Sequence, residues 1–331
     1  MKNKTESQAI YFIGIGGIGV SALAKFYISR GACVSGSDLV SSEITDELKK
    51  LGAKITIGKH KKSNLSKNVS EVIFTAATPQ NNPELVEARK RKIKIRSYAE
   101  AVGELTKNYK TIAVSGSHGK STTTALAALV LEEGYFDPTV IVGTKIKEFS
   151  DSNFRSGRGK YLVLEADEWN KSFLNYFPQI AVVTNIDEEH LDTYKNVATV
   201  EKTFQKYLSK IPKDGVIVAN ADDLRLKKVA QKFGEKVQWY SLKDREVPML
   251  RKILKIPGEH NVSNALAALK LGRLLGMHEP DILRALSRFE GAWRRFELKG
   301  LVNGAFIFSD YGHHPREIQA TIAAARERFP F

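Results

Sequence analysis

Cysteine is almost absent: Cys33 is the only one in 331 residues, so no internal disulfide forms and the expected compartment is a reducing cytosol. Its place before Val34 predicts a small core residue. No apolar run approaches the roughly 18 residues of a membrane span. Residues 9–24, following Lys2 and Lys4, superficially copy a signal peptide. Their glycines, however, form helix poorly and suit a strand-to-helix turn. Acidic residues are scarce, 37 against 51 Lys and Arg, leaving a formal charge of +14. This surplus is scattered, and no basic module interleaved with aromatics is present, which argues against nucleic acid as a partner. The Lys- and Arg-rich runs 59–67 and 89–94 read as solvated surface. Small anionic substrates such as nucleotides suit the overall sign. Repeats and low-complexity segments are also lacking.

What is present has globular proportions, 42% hydrophobic and 27% charged, and enough length for two or three domains. Short apolar strands at 10–13, 32–35, 54–57, 72–75 and 93–95 alternate with helices at 21–30, 42–51 and 83–91. Such alternation predicts a parallel, doubly wound α/β sheet. A polar linker is expected at 106–110. A second alternating block follows, with strands near 161–164, 180–184, 215–218 and 237–240 and closing helices at 262–275 and 280–288. A third unit then begins with a strand pair near 298–302 and 306–309 and a helix at 315–328.

The most telling run is Thr111-Ile-Ala-Val-Ser-Gly-Ser-His-Gly-Lys-Ser-Thr-Thr-Thr124, an apolar strand, a glycine turn and a Lys-Ser pair before a helix. Turn amides and the helix dipole favour a polyphosphate, Lys120 reaches its β- and γ-phosphates, and Ser121 ligates Mg²⁺. Val114 stands where the general G-x-x-x-x-G-K-[ST] loop has its first glycine, so Gly116-Ser-His-Gly-Lys-Ser121 is a shortened form. Earlier in the chain, Gly14-Ile-Gly-Gly-Ile-Gly19 fits G-x-G-x-x-G between strand and helix, with Asp38 at the end of the second strand. That pair suits NAD, another nucleotide diphosphate, or close helix packing.

Downstream, Glu165-Ala-Asp-Glu168 ends a strand, and Glu165 is placed to hold a hard cation. His190 lies among Asp187, Glu188 and Asp192, acids that read equally as solvated loop. His260, Asn261 and Asn264 open a helix and either cap it or face an adenine edge. Arg294 and Arg295 fall at a domain junction, where an Arg reaches phosphates on closure. In Asp310-Tyr-Gly-His-His-Pro315 the two adjacent histidines point in different directions, which argues against a metal site.

Taken in order, the glycine turn, Gly116-Ser-His-Gly-Lys-Ser-Thr-Thr, Glu165-Ala-Asp-Glu, Thr184-Asn-Ile through His190-Leu-Asp, Gly258-Glu-His-Asn through Asn264-Ala-Leu-Ala-Ala, Arg294-Arg-Phe-Glu and Asp310-Tyr-Gly-His-His-Pro resemble the Mur ligases. The resemblance implies three domains: a Rossmann-like UDP-sugar-binding domain at 1–107, a central P-loop ATPase domain at 108–296, and the start of a C-terminal ligase domain at 297–331. It also implies ATP-dependent joining of L-alanine to UDP-N-acetylmuramate through an acyl phosphate, in peptidoglycan precursor synthesis. Lys120, Glu165 and His190 would be catalytic, with Ser121, Glu165 and His190 holding Mg²⁺. ATP would contact Gly116, Ser117, His118, Gly119, Lys120, Ser121 and Thr122, and also His260, Asn261, Asn264, Arg295 and Asp310. The substrates would meet Gly14, Gly16, Gly17, Gly19, Asp38, Tyr311 and His313.

Glu189 stands where the family usually has Asp before its His, and Ser309 where it commonly has Asp. Only 34 residues follow Glu297, against roughly 100 for an ordinary domain, so the third domain is expected to be incomplete. Two alternatives share these motifs: a ligase that returns a recycled peptide to the same sugar, and a nucleotide-binding chain without ligase activity. A dehydrogenase leaves the Lys120 loop unexplained.

Overall fold

The first sheet is built on β1 (Ala9–Ile13), whose residues Ile10 to Ile13 are buried on both faces, as an interior parallel strand requires. In the computed structural model, which describes residues 8–190 and 193–329, β1 is followed by α1 (Ile18–Ser29), β2 (Cys33–Asp38), α2 (Glu43–Lys50) and β3 (Lys54–Ile57). Then come β4 (Glu71–Phe74), α3 (Pro83–Lys90), β5 (Lys94–Ser97) and α4 (Tyr98–Thr106). Local chemistry fixes the helix starts: Ser42 and Ser97 form capping boxes with Thr45 and Glu100, and Asn82 caps α3 ahead of Pro83. Every pairing in the order β3-β2-β1-β4-β5 is parallel. The order reverses between β1 and β4, so a ligand crevice opens at their carboxyl ends.

The second sheet contains β6 (Lys110–Ser115), β7 (Thr139–Ile146), β8 (Ser152–Arg155), β9 (Tyr161–Glu165), β10 (Ile180–Val183), β11 (Val216–Asn220) and β12 (Val237–Tyr240). Its order is β12-β11-β10-β6-β9-β7-β8, with β8 alone antiparallel. The β7–β8 pair went unread in the sequence because it lies between the phosphate-loop helix and the next clear strand. Helix α5 (Lys120–Glu133) runs from the end of β6 and is buried along most of its length. It is flanked by α9 (Glu259–Leu274) and α10 (Glu279–Arg288), with α6 (Val197–Leu208), α7 (Leu224–Ala230) and α8 (Val247–Ile253) completing the layers.

The third unit is a hairpin, β13 (Glu297–Val302) and β14 (Ala305–Ser309), followed by α11 (Pro315–Arg328). Its turn places Asn303 and Gly304 at φ of 49° and 82°, the left-handed pair that a two-residue hairpin turn favours.

Two local expectations change. Cys33 is exposed, because it opens β2 and the strand alternation turns Val34, not Cys33, into the core. The expected linker at 106–110 shrinks: Thr106 ends α4, is buried, and accepts a hydrogen bond from the Phe177 N–H, while Lys110 already belongs to β6. The acid Asp192 and the outermost residues of the first and third proposed domains lie outside the described residues.

Candidate active site

The phosphate loop sits where β6 gives way to α5, beside the crevice of the second sheet. Gly116 and Gly119 have φ of 134° and 79°, conformations that L side chains rarely adopt. Space is short as well: a Cβ on Gly119 would lie 2.5 Å from Asn264 Oδ1, and one on Gly116 would lie 2.1 Å from Thr184 Oγ1. The loop's outer half is clamped by the end of β10. Ser117 N–H donates to the Asn185 carbonyl (3.2 Å) and His118 N–H to Asn185 Oδ1 (2.8 Å). The first-turn amides of α5 remain as the donors that any helix start leaves open.

Lys120 Nζ folds back onto the loop, donating to the carbonyls of Gly116 (2.8 Å) and Ser117 (3.1 Å) and to both oxygens of Glu168 (3.0 and 2.8 Å). Burial opposes its charge, but Glu168 and Asp167 outweigh that and keep the ammonium protonated. Ser121 Oγ donates to Glu165 Oε1 (3.0 Å), whose other oxygen accepts the Gly143 N–H (2.7 Å). Burial lifts the Glu165 carboxyl above the ordinary range, against the Gly143 bond and Lys120. A hydroxyl and a carboxylate 3.0 Å apart form a hard-oxygen pair suited to Mg²⁺.

His190, at φ 56°, does not group with that pair. Its Nε2 lies 3.7 Å from Glu168 Oε1, and Asp167, Glu168 and His190 bring their ligand atoms within 4.8 Å of one another. The expected metal set therefore divides into Ser121–Glu165 and Asp167–Glu168–His190, with Lys120 bonded to Glu168 of the second group. A second His–carboxylate group, His118, Asp187 and His314, is equally tight. There Arg225 and Arg316 reach Asp187 at 2.9 and 3.0 Å, placing positive charge where a cation would bind. That group is an ion-pair network.

Two cavities meet at the loop. The smaller, about 340 Å³, is lined by His118, Gly119, Ser121, Thr122, His260, Asn261, Asn264, Arg295 and Asp310 from the expected nucleotide set. Asn264 Oδ1 accepts from Thr123 Oγ1 (3.1 Å) and so ties α9 to α5, while Asn261 Nδ2 donates to the Pro257 carbonyl (2.7 Å). Asp310 accepts the N–H groups of Phe296 and Gly312, which orders the turn ahead of α11. The larger cavity, about 930 Å³, is lined on one side by Gly17 and Gly19 and on the other by Ser117, Lys120, Ser121, Glu165 and His190. Tyr311 and His313 line it from the third unit.

Gly14, Gly16 and Asp38 line neither cavity. Asp38 Oδ2 accepts the Gly16 N–H (2.8 Å), and a Cβ on Gly14 would lie 2.7 Å from the Thr75 methyl. These three shape the turn that Gly17 and Gly19 present. Gly116 likewise shapes its loop from behind. Sequence reasoning left out of the site several groups that the fold brings in: Asp167, Glu168, Thr184, Asn185, Asp187 and Glu317. Glu168 was within reach, three residues after Glu165. Glu317 was masked by its local role, because three residues after His314 it completes the α11 capping box.

The profile described as "Mur ligase family, catalytic domain" matches residues 9–110, and "Mur ligase middle domain" matches 114–255. The chain is 40% identical to a UDP-N-acetylmuramate--L-alanine ligase of Clostridium acetobutylicum, across 97% of this chain and 74% of that protein. It is 38% identical to the protein of the same name in Clostridium botulinum strain Okra, across 98% of this chain and 75% of that one. Among solved structures, the UDP-N-acetylmuramate-alanine ligase MurC of Thermotoga maritima superposes with a TM-score of 0.84 at 30% identity, over 98% of this chain and 78% of that one. Among the described residues no helix is long and apolar enough to cross a membrane.

Proposed function

The chain belongs to the Mur ligase family, and from that premise we propose that it joins L-alanine to UDP-N-acetylmuramate at the expense of ATP, in the cytoplasm, for peptidoglycan precursor synthesis. The observation that carries this reading is the meeting of the two cavities at Gly119 and Ser121, on either side of Lys120, one reaching α9 and the other the first glycine turn. An ATP lying along the smaller cavity has its base near His260, Asn261 and Asn264 and its phosphates at the start of α5. The sugar nucleotide lies along the larger cavity, its diphosphate at the start of α1 beside Gly17 and Gly19 and its lactyl carboxylate facing Lys120 and His190. We also propose domain boundaries near 107 and 296, where one sheet gives way to the next.

A carboxylate is a poor electrophile, so its oxygen first attacks the γ-phosphorus of ATP, forming the acyl phosphate and releasing ADP. The neutral amine of L-alanine then attacks the carbonyl carbon. The tetrahedral intermediate expels inorganic phosphate and leaves an amide, with the amine's proton lost to solvent. Lys120 exchanges Glu168 and its own loop carbonyls for phosphate oxygens, and its ammonium offsets charge gathering at the γ-phosphate. Arg295 reaches the same region from the junction, and Asp310 orders the turn that carries Tyr311 and His313 toward the amine. Ser121 and Glu165 would hold Mg²⁺, with His190 beside Asp167 and Glu168 as a further donor set; the ion supplies electrostatic stabilisation of phosphate charge.

Isotope transfer tests this sequence. With ¹⁸O in the lactyl carboxylate, one ¹⁸O is expected in the phosphate released; phosphate carrying none contradicts the acyl-phosphate route.

A further inference from the structure

His118 sits in the middle of the phosphate loop, yet both of its ring nitrogens point at carboxylates outside it. Nε2 lies 3.1 Å from Asp187 Oδ2, and Nδ1 lies 3.2 Å from Glu317 Oε1. A carboxylate oxygen accepts and does not donate, so both nitrogens carry protons and the ring is an imidazolium. Asp187 follows β10 in the central unit, whereas Glu317 lies in the first turn of α11 in the third. One side chain of the loop therefore spans two units.

The surrounding charges alternate in sign. Arg225 and Arg316 sit on Asp187, while Arg295 Nη1 lies 3.8 Å from Glu317 Oε1. Glu189 Oε2 is 3.8 Å from His118 Nδ1, and the His314 ring centroid is 4.9 Å from that of His118. His313 adds its N–H to Glu317 at 3.2 Å. Burial would lower the His118 pKa, yet Glu317 and Asp187 raise it above the ordinary histidine value. Apolar burial contributes little here, since Ala324 is the one buried residue of α11 among those described.

We propose that His118 is a charged strut between the phosphate loop and α11, and that Glu317 is a positioning residue acting through it to hold the third unit over the smaller cavity. Arg316, Glu317, Ala320 and Thr321 form the α11 wall of that cavity, so the strut couples the tip of the loop to the closing of the wall. Its consequence for catalysis rests on reading the cavity as the ATP site.

Spin labels at the exposed Cys33 and at Gln319→Cys on the outer face of α11 report the closure directly. At pH 6 the parent is expected to give one narrow distance distribution. Glu317→Gln and His118→Gln should each broaden it, the double variant should be no broader than either, and Glu317→Asp should restore most of the narrowing. A Glu317→Gln distribution matching the parent, broadening that adds in the double variant, or no recovery in Glu317→Asp would overturn the strut. Binding of a fluorescent ATP analogue to the parent is measured separately. Its absence contradicts the nucleotide reading, and the distances still judge the strut by themselves.

Discussion

Lys120 donates to its own loop carbonyls and to Glu168, and the proposed reaction requires it to exchange these acceptors for phosphate oxygens. Lys120→Ala is expected to lower ATP turnover by at least about 100-fold, the scale of losing one preorganised group that meets developing charge. Retained ADP release would remove the role given to it. A second residue-scale expectation concerns pH. Glu317 is desolvated, yet its bonds to His118 and the His313 N–H draw its pKa down to about 2. A depressed carboxylate adds stability above its unfolded pKa and loses it as pH falls toward 2, whereas the raised His118 adds stability at low pH and loses it as pH rises through its folded pKa. Attachment of the third unit is therefore strongest between about pH 4.5 and 6.5, where both contributions are complete. Thermal unfolding followed upward from that range through the folded pKa of His118 should show a decline toward alkaline pH that Glu317→Gln diminishes, and an unchanged alkaline decline in that variant would contradict it.

At the scale of elements, the phosphate loop was legible because its chemistry is local: strand, glycine turn, Lys-Ser pair and helix lie in one run of sequence. Gly119→Ala tests why the glycine is there. It forces φ of 79° on an L residue and drives a Cβ to 2.5 Å from Asn264 Oδ1. A loss of about 1–3 kcal/mol in urea unfolding is expected, together with loss of nucleotide binding; a variant with parental stability would show that α9 yields. Partnerships across elements were not legible. Nothing near Asn264 says that it meets Thr123, and nothing near His118 says that both its nitrogens reach carboxylates on other elements. The first glycine turn shows the opposite limit. Its pattern is read correctly as a turn between strand and helix, but only the fold separates Gly17 and Gly19, which face the cavity, from Gly14, Gly16 and Asp38, which shape it.

In the whole molecule, the larger cavity exists because the first domain is held against the second. Asn153, on β8, donates to the Ile18 carbonyl (2.6 Å) and to Ser21 Oγ (2.9 Å), and its Oδ1 accepts from the buried Lys25 (2.8 Å), which also reaches Glu47. Asn153→Ala removes one of the acceptors of the buried Lys25 ammonium, which keeps Glu47 and Ser152, and deletes the bonds that tie β8 to Ile18 and Ser21 of α1. It should cost about 1–3 kcal/mol in urea unfolding and weaken UDP-N-acetylmuramate binding measured by calorimetry; unchanged affinity would mean the cavity does not depend on this contact. The alternation of strands and helices made both sheets readable, while β8, on which this junction depends, is four residues long and carries no strong pattern. In the third unit Leu298, Leu301, Phe306 and Ile322 are exposed, and the chain spans about three quarters of the relatives it matches.

The central claim is amide formation driven by ATP, and ADP release under substrate omission tests it most directly. The account predicts release only when UDP-N-acetylmuramate and L-alanine are both present with ATP and Mg²⁺. Equal release with either acceptor left out would contradict it.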